Sequence, residues 1–173
     1  MIYEFCAENV TLLEKAMQAG ARRIELCDNL AVGGTTPSYG VTKAAVELAA
    51  NYDTTIMTMI RPRGGDFVYN DLEIDIMLED IRFTAQAGSQ GVVFGVLTAD
   101  KKLDKPNLEK LIAASKGMEI VFHMAFDELS EEDQLEAIDW LSQAGVTRIL
   151  TRAGVSGDSL EKRFAHYHRI LEH

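Results

Sequence analysis

The chain has 173 residues, of which 47% are hydrophobic and 25% are charged, a composition typical of one soluble globular domain. Acidic residues outnumber Lys and Arg by 27 to 17, and the formal net charge of −10 argues against a nucleic acid or an anionic membrane as partner. No apolar run has membrane-spanning length and no leader pattern follows Met1, so we expect a cytoplasmic protein.

Apolar segments alternate with segments of helical periodicity along the chain, as in βα units around a parallel sheet. Six strands are predicted, at residues 2–6, 23–27, 55–60, 92–97, 119–126 and 146–151. A helix is predicted after each strand, with Asn9 and Ser130 as two of the N-caps. The last helix is predicted to bury one apolar face, formed by Leu160, Phe164, Tyr167 and Leu171.

A short internal repeat supports this division of the chain. Gln-Ala-Gly occurs at 18–20, 86–88 and 143–145, each time closing a helix before a strand. If six units occupy 173 residues, eight units would need about 230 residues, which is close to the roughly 250 residues of a (β/α)₈ barrel. No Gly-rich turn follows the first strand, which disfavours a doubly wound nucleotide-binding sheet.

We therefore predict an α/β fold, a TIM-type (β/α) barrel that forms a single domain over residues 1–173. About six of the eight βα units are expected in this chain, with the barrel truncated at its C-terminus. A partial barrel has unpaired strand edges, and these favour a homo-oligomer.

Two arginines follow the third predicted strand. Pro62 cannot donate a backbone hydrogen bond, so the strand ends here, and Arg61 and Arg63 lie just past its carboxyl end beside Gly64 and Gly65. Ligands bind at that end of α/β sheets and barrels, and guanidinium groups suit carboxylates and other anions. The sequence thus suggests an anion-binding loop; the alternative is that both arginines pair with nearby acids and shape the loop.

A Glu-x-Cys pattern occurs on each of the first two strands. Glu4 and Cys6 share one face of the first, and Glu25 and Cys27 share one face of the second. Neighbouring strands are about 4.8 Å apart, so like positions are expected to face each other. Two thiolates at that spacing suit Cu(I). The alternative is that both cysteines are small buried hydrophobic residues.

Titratable residues in and near the strands suggest acid/base chemistry. An interior network of Glu4, Glu25 and Arg61 would be either structural or an acid/base site. His123 is predicted inside the fifth strand near its carboxyl end, and Asp127 is predicted at the rim. For His123 the alternative is a hydrogen-bonded core residue.

Several longer motifs resemble those of the CutC family of copper-homeostasis proteins. They are Tyr3 to Cys6, Arg23 to Asp28, Gly33 to Gly40, Met59 to Phe67, Val121 to Asp127 and Arg148 to Thr151. The resemblance implies a (β/α)₈ barrel, a cytoplasmic setting, a link to copper tolerance and Cu(I) at Cys6 and Cys27. Met124 stands where the family usually has Arg, and the family's last two units are not present in these 173 residues.

The resulting functional hypothesis is a cytoplasmic copper-homeostasis protein that binds Cu(I) through Cys6 and Cys27. The alternative is a barrel enzyme that acts on a small anionic substrate bound by Arg61 and Arg63. Its candidate catalytic residues would be Glu25, His123 and Asp127.

Overall fold

A computed structural model describes residues 1–154 and 157–172. Its six strands are β1 (Glu4–Glu8), β2 (Arg23–Cys27), β3 (Thr55–Met59), β4 (Gly91–Phe94), β5 (Glu119–Phe122) and β6 (Arg148–Ile149). Its α-helices are α1 (Leu13–Gln18), α2 (Tyr39–Ala49), α3 (Asp71–Gln86), α4 (Lys105–Ala114), α5 (Glu131–Ala144) and α6 (Leu160–Glu172). Short 3-10 helices cover Leu30–Val32 and Met124–Glu128.

The strands form one parallel sheet in the order β1-β2-β3-β4-β5-β6, with an α-helix between each successive pair. This is the predicted barrel topology with six βα units, so the fold prediction is confirmed. Within the described ranges, β1 and β6 do not pair with each other. The loop predicted at 154–157 includes residues 155 and 156, which lie outside the described part of the chain.

Apolar side chains on alternate strand positions pack outward against the helices. Phe94 and Phe122, for example, are fully buried in the cluster that includes residues of α3, α4 and α5. The opposite face of the sheet carries a smaller cluster that contains Cys27, Met57 and Met59. Parallel strands covered on both faces are apolar at most positions, as in β4, whereas β1 at the edge of the sheet is largely exposed and carries Glu4 and Glu8.

Two helix predictions were wrong in detail. Asn9 does not cap α1, because its side chain accepts a hydrogen bond from the adjacent Val10 N–H and its φ of 57° is left-handed. The predicted apolar face of α6 is also exposed; Phe164, for example, is 64% exposed. This helix instead buries His166, whose Nε2 lies 2.7 Å from Gln134 Oε1 of α5.

The fifth strand is shorter than predicted, and this changes the position of His123. The strand ends at Phe122, and His123 caps the 3-10 helix Met124–Glu128 by accepting a hydrogen bond from Ala125 N–H. His123 therefore lies just past the carboxyl end of β5 rather than inside it. Among the described helices, none has the length and apolar character needed to cross a membrane.

Candidate functional site

Cys6, Glu25 and Cys27 form the candidate metal centre. Their Sγ and carboxylate oxygen atoms all lie within 4.8 Å of one another. The register between β1 and β2 places Cys6 beside Glu25 and Glu8 beside Cys27. The expectation that like positions of the two Glu-x-Cys patterns face each other is therefore wrong by two residues, and this shift is what places Glu25 among the thiols.

The three residues differ in exposure. Cys27 and Glu25 are buried, at 1% and 7% exposure, whereas Cys6 is exposed. A cleft of about 510 Å³ lies beside Cys6 and is also lined by Glu8 and Asp28. The exposed thiol of Cys6 thus faces a cleft that carries two carboxylates, which attract cations.

The metal-free centre favours protonated groups. Burial raises the pKa of Glu25, with a smaller opposing effect from a hydrogen bond with Cys6. The pKa of the Cys27 thiol is raised strongly by its hydrogen bond with Cys6, by burial and by the charge of Glu25. Glu25 Oε1 is also buried without a hydrogen-bond partner in the structure described. Such a carboxyl group is stabilised by a proton or by a cation.

The predicted network of Glu4, Glu25 and Arg61 does not form. Glu4 Oε2 accepts a hydrogen bond from Arg23 Nη1 at 2.9 Å, since these two residues are paired across β1 and β2. Arg61 forms its hydrogen bonds with backbone carbonyls. No cationic side chain in the described ranges therefore lies within ion-pair distance of Glu25.

Replacing Glu25 with Leu should stabilise the metal-free protein. The substitution removes a buried, incompletely satisfied carboxyl group, so we expect the free energy of unfolding at pH 7 to rise by about 1 kcal/mol. Because the folded-state pKa of Glu25 is raised, its contribution to stability is present at low pH and is lost as pH rises above 4.5. Urea unfolding of the wild type and the variant between pH 5 and 8 measures the difference in free energy of unfolding. A variant that is destabilised by the same amount at every pH would contradict the prediction.

The loop between β2 and α2 lies directly over Cys27. A Cβ atom at Gly34 would be 3.1 Å from Cys27 Sγ, and the φ of Gly34 is +88°, a conformation that favours glycine. Arg61 Nη1 donates to Val32 O and Gly34 O, both at 2.9 Å, and Arg61 Nη2 donates to Gly65 O at 2.7 Å. Arg61 therefore holds the loop that covers the thiol.

The charge of Arg61 is buried without a carboxylate. The side chain is 4% exposed, and no acidic group in the described residues lies within ion-pair distance of it. Its Nε has no hydrogen-bond partner there, and its guanidinium carbon lies 5.0 Å from the centre of the Phe67 ring. The prediction that Arg61 binds an anion stays a prediction, and the unpartnered Nε–H could donate a hydrogen bond to one.

Arg63 has a different environment from Arg61. Its side chain is 38% exposed and forms ion pairs with Glu73 and Asp66. Its Nη2 also donates to Val68 O at 2.7 Å. These contacts agree with the alternative that Arg63 shapes the loop, and its predicted role in anion binding stays untested.

His123 is held as a neutral side chain. Its Nδ1 accepts a hydrogen bond from Ala125 N–H at 3.2 Å, so the ring hydrogen is on Nε2, which is buried without a partner in the part of the chain described. Burial, followed by the charge of Arg61, lowers the pKa of His123 from 6.5 to about 3. At neutral pH this side chain is a hydrogen-bond donor at Nε2.

The neutral state of His123 predicts acid sensitivity. The unfolded chain binds a proton at His123 below pH 6.5 and the folded chain only near pH 3, so stability falls as pH decreases between these values. From pH 7 to pH 5 this one group should lower the free energy of unfolding by about 2 kcal/mol. Urea unfolding of wild type and His123→Asn at both pH values isolates the effect, because the other titratable groups are common to both proteins. An identical pH dependence in the two proteins would contradict it.

Asp127 accepts hydrogen bonds from the segment that follows β6. It is 3% exposed, and its Oδ1 accepts a hydrogen bond from Thr151 Oγ1 at 2.5 Å. Its Oδ2 accepts from Arg152 N–H at 3.1 Å. Asp127 thus binds the segment after β6, whereas Glu25 lies with the thiols, and the predicted catalytic roles of Glu25, His123 and Asp127 stay predictions.

Sequence reasoning missed two residues that lie next to Arg61 and His123. Tyr69 was assigned no role, although its hydroxyl group is buried without a partner in the described structure. Gly95 has no room for a side chain, because a Cβ atom there would be 2.6 Å from His123 Cε1. Arg61 lies two residues after Met59, so the alternation of side chains along the strand could have predicted that Arg61 points inward. No sequence pattern identified Tyr69.

Comparison with known proteins decides the family. A model of the CutC family matches residues 1–166. The chain belongs to the CutC family. A CutC family protein of Enterococcus faecalis is 52% identical over 171 residues, which cover 99% of this chain and 82% of the relative. A CutC family protein of Streptococcus pyogenes is 53% identical over 151 residues, covering 87% and 72%.

Solved structures agree with this assignment. The crystal structure of a CutC protein from Streptococcus agalactiae, described as a copper homeostasis protein, superposes on this CutC family member with a TM-score of 0.95 at 45% identity. It matches 99% of this chain, which covers 82% of that one. An archaeal fructose 1,6-bisphosphate aldolase has a TM-score of 0.63 at 16% identity, a similarity that shows the barrel fold alone.

Proposed function

We propose that this CutC family member is a copper-homeostasis protein that binds one Cu(I) ion between the thiolates of Cys6 and Cys27, with the Glu25 carboxyl group as a third donor. The observation that carries the proposal is the convergence of the three ligand atoms within 4.8 Å. The unpartnered, buried Oε1 of Glu25 fits a site that holds a cation.

The chemistry of the donors supports Cu(I) over a hard divalent ion. Two thiolates are soft, polarizable ligands, and soft ligands select Cu(I) among the physiological metals. Loading requires that both thiol protons leave, since only thiolates bind metal ions. A reducing compartment such as the cytoplasm would keep both thiols available, in agreement with the expected localisation.

The relatives support the same function. The Streptococcus agalactiae structure is described as a copper homeostasis protein, and it matches nearly the whole of this chain. The predicted homo-oligomer is part of this proposal, because within the described residues the outer edges of β1 and β6 pair with no other strand, and such edges provide surfaces for association.

Anaerobic loading with Cu(I) tests the proposal. We expect one ion per chain in competition with a Cu(I) chelator, and X-ray absorption that shows two sulfur neighbours. The Cys6→Ser/Cys27→Ser double variant should bind none, while Cys6→Ser and Cys27→Ser alone should each lose at least about a hundredfold in affinity, since even outer-shell changes cost 10–100-fold. Equal affinity of wild type and double variant would exclude the proposed site.

A further inference from the structure

Three buried hydrogen-bond donors at the carboxyl end of the sheet have no partner in the described structure. They are Arg61 Nε, Tyr69 Oη and His123 Nε2. The three residues are 4%, 7% and 4% exposed, so bulk solvent does not reach these donors. Buried polar groups are nearly always hydrogen-bonded, and a group that is not indicates an absent partner.

Two of the three residues contact the Phe67 ring, and the third lies near Arg61. The Phe67 ring centre lies 5.0 Å from the Arg61 guanidinium carbon and 4.8 Å from the His123 ring centre. Burial raises the pKa of the Tyr69 hydroxyl group, and the charge of the nearby Arg61 opposes this effect, which places Tyr69 close to Arg61. The donors thus belong to one small region, and Phe67 itself is only half-buried.

This region has a definite electrostatic character. Arg61 is cationic, and within the described ranges no acid forms an ion pair with it. His123 offers only an N–H at its free nitrogen, because Nδ1 is already bonded to Ala125 N–H. A partner for all three groups must accept hydrogen bonds, and a negative charge on it would compensate Arg61.

The location agrees with a ligand site. Arg61 lies two residues past β3, and His123 directly follows β5, so both are at the carboxyl ends where barrels bind ligands. Gly95, just after the intervening β4, has no side chain, and a Cβ atom there would overlap the imidazole. The backbone of the neighbouring strand therefore makes room for the His123 ring.

We propose that this region binds a small carboxylate, whose oxygen atoms accept hydrogen bonds from Arg61 Nε–H, Tyr69 Oη–H and His123 Nε2–H after the Phe67 ring moves aside. None of its three donors is among the candidate metal ligands Cys6, Glu25 and Cys27, and the proposal does not depend on copper binding. Charge-assisted hydrogen bonds to a carboxylate are stronger than the contacts that Arg61 and His123 make with the Phe67 ring, so the anion can displace the ring.

Calorimetric titration of the full chain with malonate, at constant ionic strength, tests the proposal. The Nε2 resonance of His123, observed with ¹⁵N-labelled histidine, reports where the anion binds. We expect saturable binding and a shift of this resonance in the wild type. Phe67→Ala should bind malonate more tightly, because the ring no longer competes. Inorganic phosphate is the second probe, and binding of phosphate without malonate would overturn the assignment to carboxylates.

Three variants separate the site from general charge attraction. His123→Asn keeps an acceptor for Ala125 N–H but lacks the distal N–H, so we expect at least about a tenfold loss of affinity. Tyr69→Phe should lose a similar amount while remaining folded, since it removes only an unpartnered hydroxyl group. Arg63→Met removes an exposed charge from the same loop and should leave binding within about twofold. Absence of saturable binding in both wild type and Phe67→Ala, or an equal loss in all three variants, would overturn the proposal.

Discussion

Replacing Arg61 with Met is expected to lower the free energy of unfolding by about 3 kcal/mol, because three backbone carbonyls lose a charged donor at once. These carbonyls belong to Val32, Gly34 and Gly65, in the two loops that meet above the end of β3. Met retains much of the side-chain volume, so loss of packing contributes little. The expected cost thus measures how strongly one guanidinium joins the two loops.

The same substitution should expose the Cys27 thiol. The covering loop passes close above Cys27 Sγ at Gly34, and Arg61 is the side chain that holds this loop through two of its carbonyls. In a Cys6→Ser background, which leaves Cys27 as the one thiol, we expect reaction with a thiol reagent under native conditions to accelerate at least about tenfold, in proportion to loop opening.

Arg63→Met is the matched control for both measurements. Arg63 lies in the same loop but is 38% exposed and paired with acids, so its loss should cost about 1 kcal/mol or less and leave thiol reactivity unchanged. Urea unfolding and thiol kinetics on the two variants provide the comparison. Similar stability and similar thiol reactivity of the Arg61 and Arg63 variants would contradict the role assigned to Arg61.

Cu(I) should stabilise the folded protein strongly and only through the thiols. At a free Cu(I) concentration 1,000 times the dissociation constant, binding to the native state alone raises the free energy of unfolding by about 4 kcal/mol. The Cys6→Ser/Cys27→Ser variant should gain nothing. Anaerobic urea unfolding with a chelator-buffered Cu(I) series measures both, and an equal gain in the double variant would place the ion elsewhere.

The apparent affinity for Cu(I), and with it the stabilisation by a given concentration of the ion, should increase with pH. The pKa of the Cys27 thiol is raised, so the metal-free folded protein keeps this proton at neutral pH and must release it when the ion binds. Raising the pH makes that release more favourable and increases the apparent affinity. Repeating the buffered titration at pH 6.5 and 8 checks the sign; an affinity that falls over this range would contradict the thiolate site.

Much of the fold could be predicted because it depends on periodicity that is local in the chain. Strands buried on both faces read as short apolar runs, and the helix at Asp71–Gln86 follows from its apolar spacing and its capping box at Asn70. The family motifs and the Glu-x-Cys pattern likewise paired Cys6 with Cys27 as expected metal ligands, but they assigned Glu25 to a separate acid/base role. Prediction was weaker for α6, whose apolar periodicity did not correspond to burial.

The order of strands and helices, the barrel topology and the residue types suited to Cu(I) could all be inferred from the chain alone, since they depend on side-chain chemistry and on spacing. Three-dimensional packing was needed to show that Glu25 lies beside Cys6, that the loop held by Arg61 covers Cys27, and that His123, Arg61 and Tyr69 share one region. These outcomes depend on strand register and on loop packing. Both are set by contacts between residues far apart in the chain, which no local pattern specifies.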